Sequence, residues 1–263
     1  MRKYARKPDS PDPRDYRFVP SQMGAVSSTP PLSMDLRPMF PPAFDQGDEG
    51  SCGANSMSAF DCLMFKTTTP FSRHQIYYCT RILENNVNVD DGVETRNLFK
   101  VMQKTGAVPE PMWPYVQTNL FMAPPVSVLS VASKNCFARY QRLIGEDDMV
   151  ACLSEGFPFV LGINLYSSFE GDALARTGVM SVPDVRRETY VGGHDVLVVG
   201  YDLKFRKSSV FKRSGVDPTL VSDHALLIRN SWSAQWGIQG HFWMPMSYAV
   251  NPSTGGDSWT GRL

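Results

Sequence analysis

Two kinds of apolar spacing divide this chain. From Cys52 to about Gly106, large apolar residues recur at helical spacing. Ala54, Met57, Phe60 and Met64 mark a helix over about 52–65. Ile76, Tyr77, Tyr78 and Ile82 mark a second near 72–84. Val93, Leu98, Val101 and Met102 mark a third near 93–104, closed by Gly106 as its C-cap. The segment 108–125 is Pro-rich and reads as irregular. From about 126 the pattern changes to short β-type runs: Val126–Ala132, Phe159–Leu165, Asp195–Tyr201, Ala225–Asn230 and His241–Pro245. One short helix over about 147–154 interrupts them. Helices first and strands later predict an α+β chain of two lobes, with a helical lobe over about 35–125 and a β-rich lobe over about 126–263.

Residues 1–34 fit neither pattern. They are polar, rich in Pro, Ser and Asp, and read as an extended arm. The large apolar groups of the arm are Tyr4, Tyr16, Phe18, Val19 and Met23. Two readings stand side by side, a segment lying along a groove and a solvated tail.

Composition narrows the class. Apolar content of 42% and charged content of 20% are those of an ordinary globular protein. With 26 basic and 26 acidic residues the formal net charge is zero, which argues against nucleic acid or an anionic membrane as partner. No run of 18 apolar residues predicts a transmembrane helix. The basic start, Met1 to Lys7, is followed by Pro and Asp, not by an apolar core, so no secretory leader is expected. The expected location is intracellular (cytoplasmic) or within a virion. The five cysteines are odd in number and widely spaced, and no Cys-x-x-Cys pair occurs. Reduced thiols and no metal site are expected, with one disulfide among Cys62, Cys79, Cys136 and Cys152 left open.

One of these cysteines has a special place. A tight loop, Gly47 to Gly50, precedes Ser51, which stands as N-cap, so Cys52 falls in the first helical turn. Free backbone N–H groups and the helix dipole there favour a thiolate. A lone cysteine at a helix start is more often buried and inert, so a base and a group to orient it are needed as well. Of the four histidines, His74 sits in a predicted helix, His224 precedes a strand and His241 lies inside one. His194 stands apart, after Gly192-Gly193 and at the head of an apolar strand that ends in Gly200-Tyr201. Another apolar strand ends in Asn230-Ser231-Trp232. The Asn230 amide can fix an imidazole, and Trp232 can shield that bond from water.

Taken together, these motifs resemble the papain-like cysteine peptidases of the C1 family. Gln46 stands six residues before Cys52, His194 opens a strand ending in Gly-Tyr, and Asn230 to Gly237 departs from the family's Asn-Ser-Trp-Gly-x-x-Trp-Gly only at Ser233. Weaker echoes are Asp35-Leu36-Arg37, Asp45-Gln46-Gly47 and Trp113-Pro114-Tyr115. The resemblance covers about residues 35–248. It implies a two-lobed papain-like fold with a cleft between the lobes, and a cysteine endopeptidase acting through an acyl-enzyme without metal or cofactor. It makes Cys52 the nucleophile, His194 the base and acid, Asn230 the orienter, and Gln46 with the Cys52 N–H the oxyanion hole. The resting state it implies is a thiolate–imidazolium pair. Gly92, Gly162 and Gly193 become walls of the non-primed subsites, with Trp232 beside them. The expected partner is a peptide or protein substrate, and the expected state a monomer. An idle homologue used for binding, and a thiol acyltransferase or deamidase on the same site, are the other readings.

Departures from the family pattern carry information. Glu49 stands where the family has a disulfide-forming Cys, Gly53 replaces the usual Trp, and Gly193 replaces the usual Asp or Asn. These features resemble microbial and viral branches more than lysosomal cathepsins. The long segment 203–223 carries Lys204, Arg206, Lys207, Lys212 and Arg213 and reads as a solvated hairpin extension; an anionic partner site is the sharper alternative. The arm 1–34 is too short for the helical pro-domain of cathepsin-like relatives and is expected to lie across the cleft and limit access.

Overall fold

The helical half forms much as its spacing predicts. In the computed structural model, which describes residues 2–20 and 29–263, α1 spans Cys52–Met64, α2 Arg73–Leu83 and α3 Thr95–Lys104. Met23 of the arm lies outside the described residues. Ser72 caps α2 by accepting from the Gln75 N–H at 3.1 Å. Gly106 follows α3 with φ of 74°, and its N–H closes on the Val101 carbonyl. A side chain there would meet the Ala132 carbonyl at 2.1 Å, so a glycine is required twice over. All residues of α1 are buried, because α2 covers one side and the sheet the other. That is why α1 shows no clean polar face in sequence.

Among the described residues the β-rich half is one seven-stranded sheet. Its strands are β1 (Ser33–Asp35), β2 (Arg139–Arg142), β3 (Phe159–Tyr166), β4 (Tyr190–Asp202), β5 (Ala225–Arg229), β6 (His241–Pro245) and β7 (Asp257–Arg262). The order is β2-β7-β3-β4-β5-β6, antiparallel throughout, and β1 pairs with the far end of β4. The long β4 is shared: residues 190–198 pair with β3, β5 joins on the other edge from Leu197 with an irregularity at Val198/Gly200, and β1 pairs at 200–202. Gly200 permits the approach of β1, since a Cβ there would meet the Met34 carbonyl at 2.3 Å.

Two expectations are corrected. Val126–Ala132 is not a strand but the helix α4. Pro125, at φ of −57°, starts it, and Val128 and Ala132, one turn apart, are buried against Val108 and Trp113. Of the β-branched residues that suggested a strand, Val126 is exposed while Val128 and Val131 pack inward at helical spacing, so propensity yields to packing. The segment 203–223 is not a hairpin. It holds a 3-10 turn, helix α7 (Ser209–Ser214) and a second 3-10 turn. Phe205, Phe211 and Val221 tie it to the core, with Phe205 stacked on Trp243 at 4.7 Å. The remaining helices are α5 (Gly145–Ser154), α6 (Asp172–Thr177) and α8 (Met246–Val250). All five cysteines are free thiols.

Asp61 carries a cost inside this core. It lies in α1, fully buried, and among the described residues neither carboxylate oxygen has a hydrogen-bond partner. Burial raises its pKa well above the carboxylate range, so it is held as the neutral acid. A raised folded pKa gives stability that is complete below the unfolded value and is lost as pH rises towards the folded one. In that window stability falls by about 1.4 kcal/mol per pH unit. Asp61→Asn is expected to remove this slope, read from urea unfolding at pH 5, 6 and 7. Parallel pH dependence in both proteins would sink the assignment.

Candidate active site

The start of α1 and the head of β4 meet where the lobes join. Cys52 is the first residue of α1 and is buried. Its Sγ accepts from the Asp195 N–H at 3.4 Å. The residue before that amide is His194, also buried, whose Nε2 meets Asn230 Oδ1 at 2.9 Å. An amide oxygen only accepts, so Nε2 carries the hydrogen and the neutral ring presents a bare Nδ1. Among the described residues that Nδ1 has no hydrogen-bond partner. Trp232 lies against the ring at 5.5 Å between centroids and is itself buried, which keeps water from the His194–Asn230 bond.

Ser51 occupies the N-cap position of α1, yet its hydroxyl does not cap the helix. It lies 2.6 Å from the Tyr115 hydroxyl and accepts from Asn55 Nδ2 at 3.1 Å. The first-turn N–H groups are thereby left for an anion at Cys52. Gln46 is anchored on three sides. Its N–H donates to the Ser231 carbonyl at 2.9 Å, its carbonyl accepts from Tyr115 at 3.0 Å, and its Oε1 accepts from Ser231 Oγ at 2.6 Å. One Nε2 hydrogen goes to the Glu49 carbonyl at 2.8 Å, which leaves the other uncommitted. The Glu49 carboxylate meets His74 Nε2 at 2.8 Å, and both are buried. A buried Glu–His contact thus stands where the family pattern has a disulfide-forming cysteine.

The described arm covers this junction. Tyr4 lies edge-on to His194 at 6.2 Å and tilted on Trp232 at 5.9 Å, while its hydroxyl donates to Glu170 Oε1 at 2.8 Å. The Arg6 N–H donates to the Gly193 carbonyl and the Lys7 N–H to the Val93 carbonyl, each at 3.0 Å. The arm therefore runs between the two lobes and bonds to both. The three glycines expected to wall a peptide site all face it. A Cβ would meet the Ala5 carbonyl at 1.4 Å from Gly92, Arg6 Nε at 2.3 Å from Gly162 and the Arg6 carbonyl at 2.5 Å from Gly193. Farther along, Phe18 is buried, while Tyr16 and Val19 remain exposed.

Covering the site changes its electrostatics. Burial, aided by the Asp195 charge, pushes the Cys52 thiol up to about 12. Burial likewise pushes the His194 imidazole down to about 4, against the support of Asn230. Both directions favour the neutral thiol–imidazole pair. Asp195, also buried, is pushed up to about 7, with the Arg6 charge opposing.

The cysteine, the histidine held by an asparagine, and the anchored glutamine meet at one junction. The sequence profile of the papain family of cysteine proteases matches residues 30–254. The chain belongs to this family. A papain-family peptidase-like protein of Acanthamoeba polyphaga mimivirus is 29% identical over 229 residues, which are 82% of this chain and 68% of that one. Cathepsin R of Mus musculus is 27% identical over 209 residues, 76% of this chain and 55% of that one. Among solved structures, xylellain, a cysteine protease from Xylella fastidiosa, is 32% identical with a TM-score of 0.85, covering 99% of this chain and 96% of its own. This papain-family chain is a cysteine peptidase of the two-lobed α+β fold, nearer to microbial and viral members than to lysosomal ones. Among the described residues no helix is long and apolar enough to cross a membrane, and no group of His, Cys, Asp and Glu could hold a metal.

Sequence reasoning missed four members of this neighbourhood. Ser231 was visible only as part of a motif, with no sign that its hydroxyl reaches Gln46. Glu49 and His74 meet across 25 residues, and nothing local in the chain pairs them. The buried carboxylate of Asp195 was read as an ordinary strand residue. A β-strand reverses face at each residue, so a polar residue directly after His194 could have drawn attention.

Proposed function

We propose that this peptidase is a cysteine endopeptidase with Cys52 as nucleophile, His194 as base and acid, Asn230 as orienter, and Gln46 with the Cys52 N–H as oxyanion hole. The observation that carries this reading is the join at 194–195: one residue is held by Asn230, and the N–H of the next donates to Cys52 Sγ. His194 Nδ1 takes the thiol proton as Sγ adds to the substrate carbonyl. The oxyanion accepts from Gln46 Nε2–H and the Cys52 N–H. The imidazolium then protonates the leaving amine, and a thioester remains. Water, losing its proton to Nδ1, attacks that thioester and restores the thiol.

The arm is proposed to hold the enzyme latent. Tyr4 and Arg6 take the space of a substrate, and burial favours the neutral dyad. The thiolate–imidazolium pair expected from sequence is therefore assigned to the uncovered enzyme, where water supports both charges and the helix N-terminus supports the thiolate.

Labelling with an epoxide inhibitor of papain-family proteases, read by intact mass, tests both ideas. One adduct is expected, absent from Cys52→Ala. The full-length double variant Tyr4→Ala/Arg6→Ala is expected to label at least ten-fold faster. An adduct that persists in Cys52→Ala overturns the nucleophile; equal rates in wild type and double variant discard the latency.

A further inference from the structure

The side chain that the arm drives deepest beside the nucleophile is a cation. Arg6 is buried, and its guanidinium forms an ion pair with Asp257. Asp257 also accepts from Arg142 at 3.1 Å and from the Asp9 N–H at 3.0 Å. Asp195 lies near enough for the Arg6 charge to be felt. Its Oδ1 accepts from Thr95 Oγ1 at 2.7 Å, while its buried Oδ2 has no hydrogen-bond partner among the described residues. Gly162 opens the slot, because a Cβ there would sit 2.3 Å from Arg6 Nε and 2.6 Å from Cζ. Gly193, on the adjoining strand β4 of the same lobe, opens it further, with Arg6 Cδ only 3.2 Å from its notional Cβ.

We infer that this slot is a specificity pocket for a cationic side chain, arginine before lysine, on the acyl side of the scissile bond. Asp257 and Asp195 are its carboxylates, and Arg6 is an internal occupant. The inference rests on the peptidase reading above and names the substrate class for that site: peptides with a basic residue near the cleavage point.

Three features decide for a cation. The arm's backbone bonds to Gly193 and Val93 are open to any extended peptide, so they select nothing, and selection falls to side-chain pockets. Arg142 reaches only Oδ1 of Asp257, so an aliphatic side chain in the slot would leave Oδ2 and the Asp195 carboxylate without a cation, at a cost. The planar guanidinium lies over Gly162 and faces Asp257 while its stem passes Gly193, which the point charge of lysine does less well. Other basic arm residues also meet acids of the body, Lys3 with Asp90 at 2.8 Å and Lys7 with Asp91 at 2.9 Å. Those pairs are partly solvated and contribute little to selection.

The test uses the full-length protein and a fluorogenic peptide library varied at each acyl-side position. At one position Arg is expected to exceed Leu at least ten-fold in kcat/KM. In Asp257→Asn, which keeps an oxygen for the Asp9 N–H, that ratio is expected to fall at least ten-fold. A second readout needs no turnover. A labelled peptide with the sequence of residues 2–9 is titrated onto full-length Arg6→Ala, whose slot is vacant. Replacing the peptide's second arginine by leucine is expected to weaken binding at least ten-fold, and Asp257→Asn to abolish the difference. The inference is overturned if Leu equals or exceeds Arg in the library, or if Asp257→Asn leaves the ratio unchanged. If the full-length Tyr4→Ala/Arg6→Ala variant, in which the covering arm is loosened, also cleaves nothing, the peptidase reading falls. The pocket then stands if the arginine peptide binds selectively, and falls if both peptides bind alike.

Discussion

Cys52→Ala and His194→Ala are each expected to lower kcat/KM on a peptide amide by on the order of 10⁵–10⁶, and the double variant by no more than either alone. The two act as one unit. Without His194 Nδ1 the thiol keeps its proton, since burial already opposes ionisation. Without Cys52 the imidazole has no nucleophile to deprotonate. What remains in either case is binding plus the oxyanion donors, worth on the order of 10³–10⁴ over water in related acyl transfer. The measurement is single-turnover cleavage of the best library peptide, with each variant made free of wild-type contamination. Retention of a tenth or more of the wild-type rate by either single variant would refute the dyad.

The catalytic candidates were legible in the sequence for a physical reason. Each sits where regular structure begins or ends: Cys52 opens α1 and Asn230 directly follows β5. Such boundaries carry Gly, Ser and polar signals that a short motif can show. His194 stood apart because two glycines precede it at the head of an apolar run, although β4 begins earlier than that run suggests, at Tyr190. What stayed hidden depends on distant contacts. β2 reads Arg-Tyr-Gln-Arg and β7 reads Asp-Ser-Trp-Thr-Gly-Arg, and neither alternates as a half-buried strand should. In β7, Asp257, Ser258 and Thr260 are buried because the arm, β3 and β2 surround them. The arm itself was left between two readings. Its basic residues find their acids up to 251 residues away in the chain, as Arg6 does with Asp257, and no local pattern encodes such a pairing.

Gln46→Ala is expected to lower kcat by about 10²–10³ with KM changed by only a few fold. The expectation follows from how little freedom the side chain has. Ser231 Oγ holds Oε1 at 2.6 Å and the Glu49 carbonyl takes one Nε2 hydrogen at 2.8 Å, so the amide cannot turn over. Its remaining N–H is fixed before substrate arrives, and a donor that needs no reorganisation is worth most where charge develops. Ser231→Ala should therefore cost activity too, though less, on the order of ten-fold, because the amide stays but loosens. Alkylation of Cys52 by iodoacetamide forms no oxyanion and separates this role from an effect on the thiol. Gln46→Ala should alkylate within a few fold of wild type while its peptide kcat collapses. If alkylation falls by the same factor as kcat, Gln46 acts through the state of the thiol, and the oxyanion assignment fails.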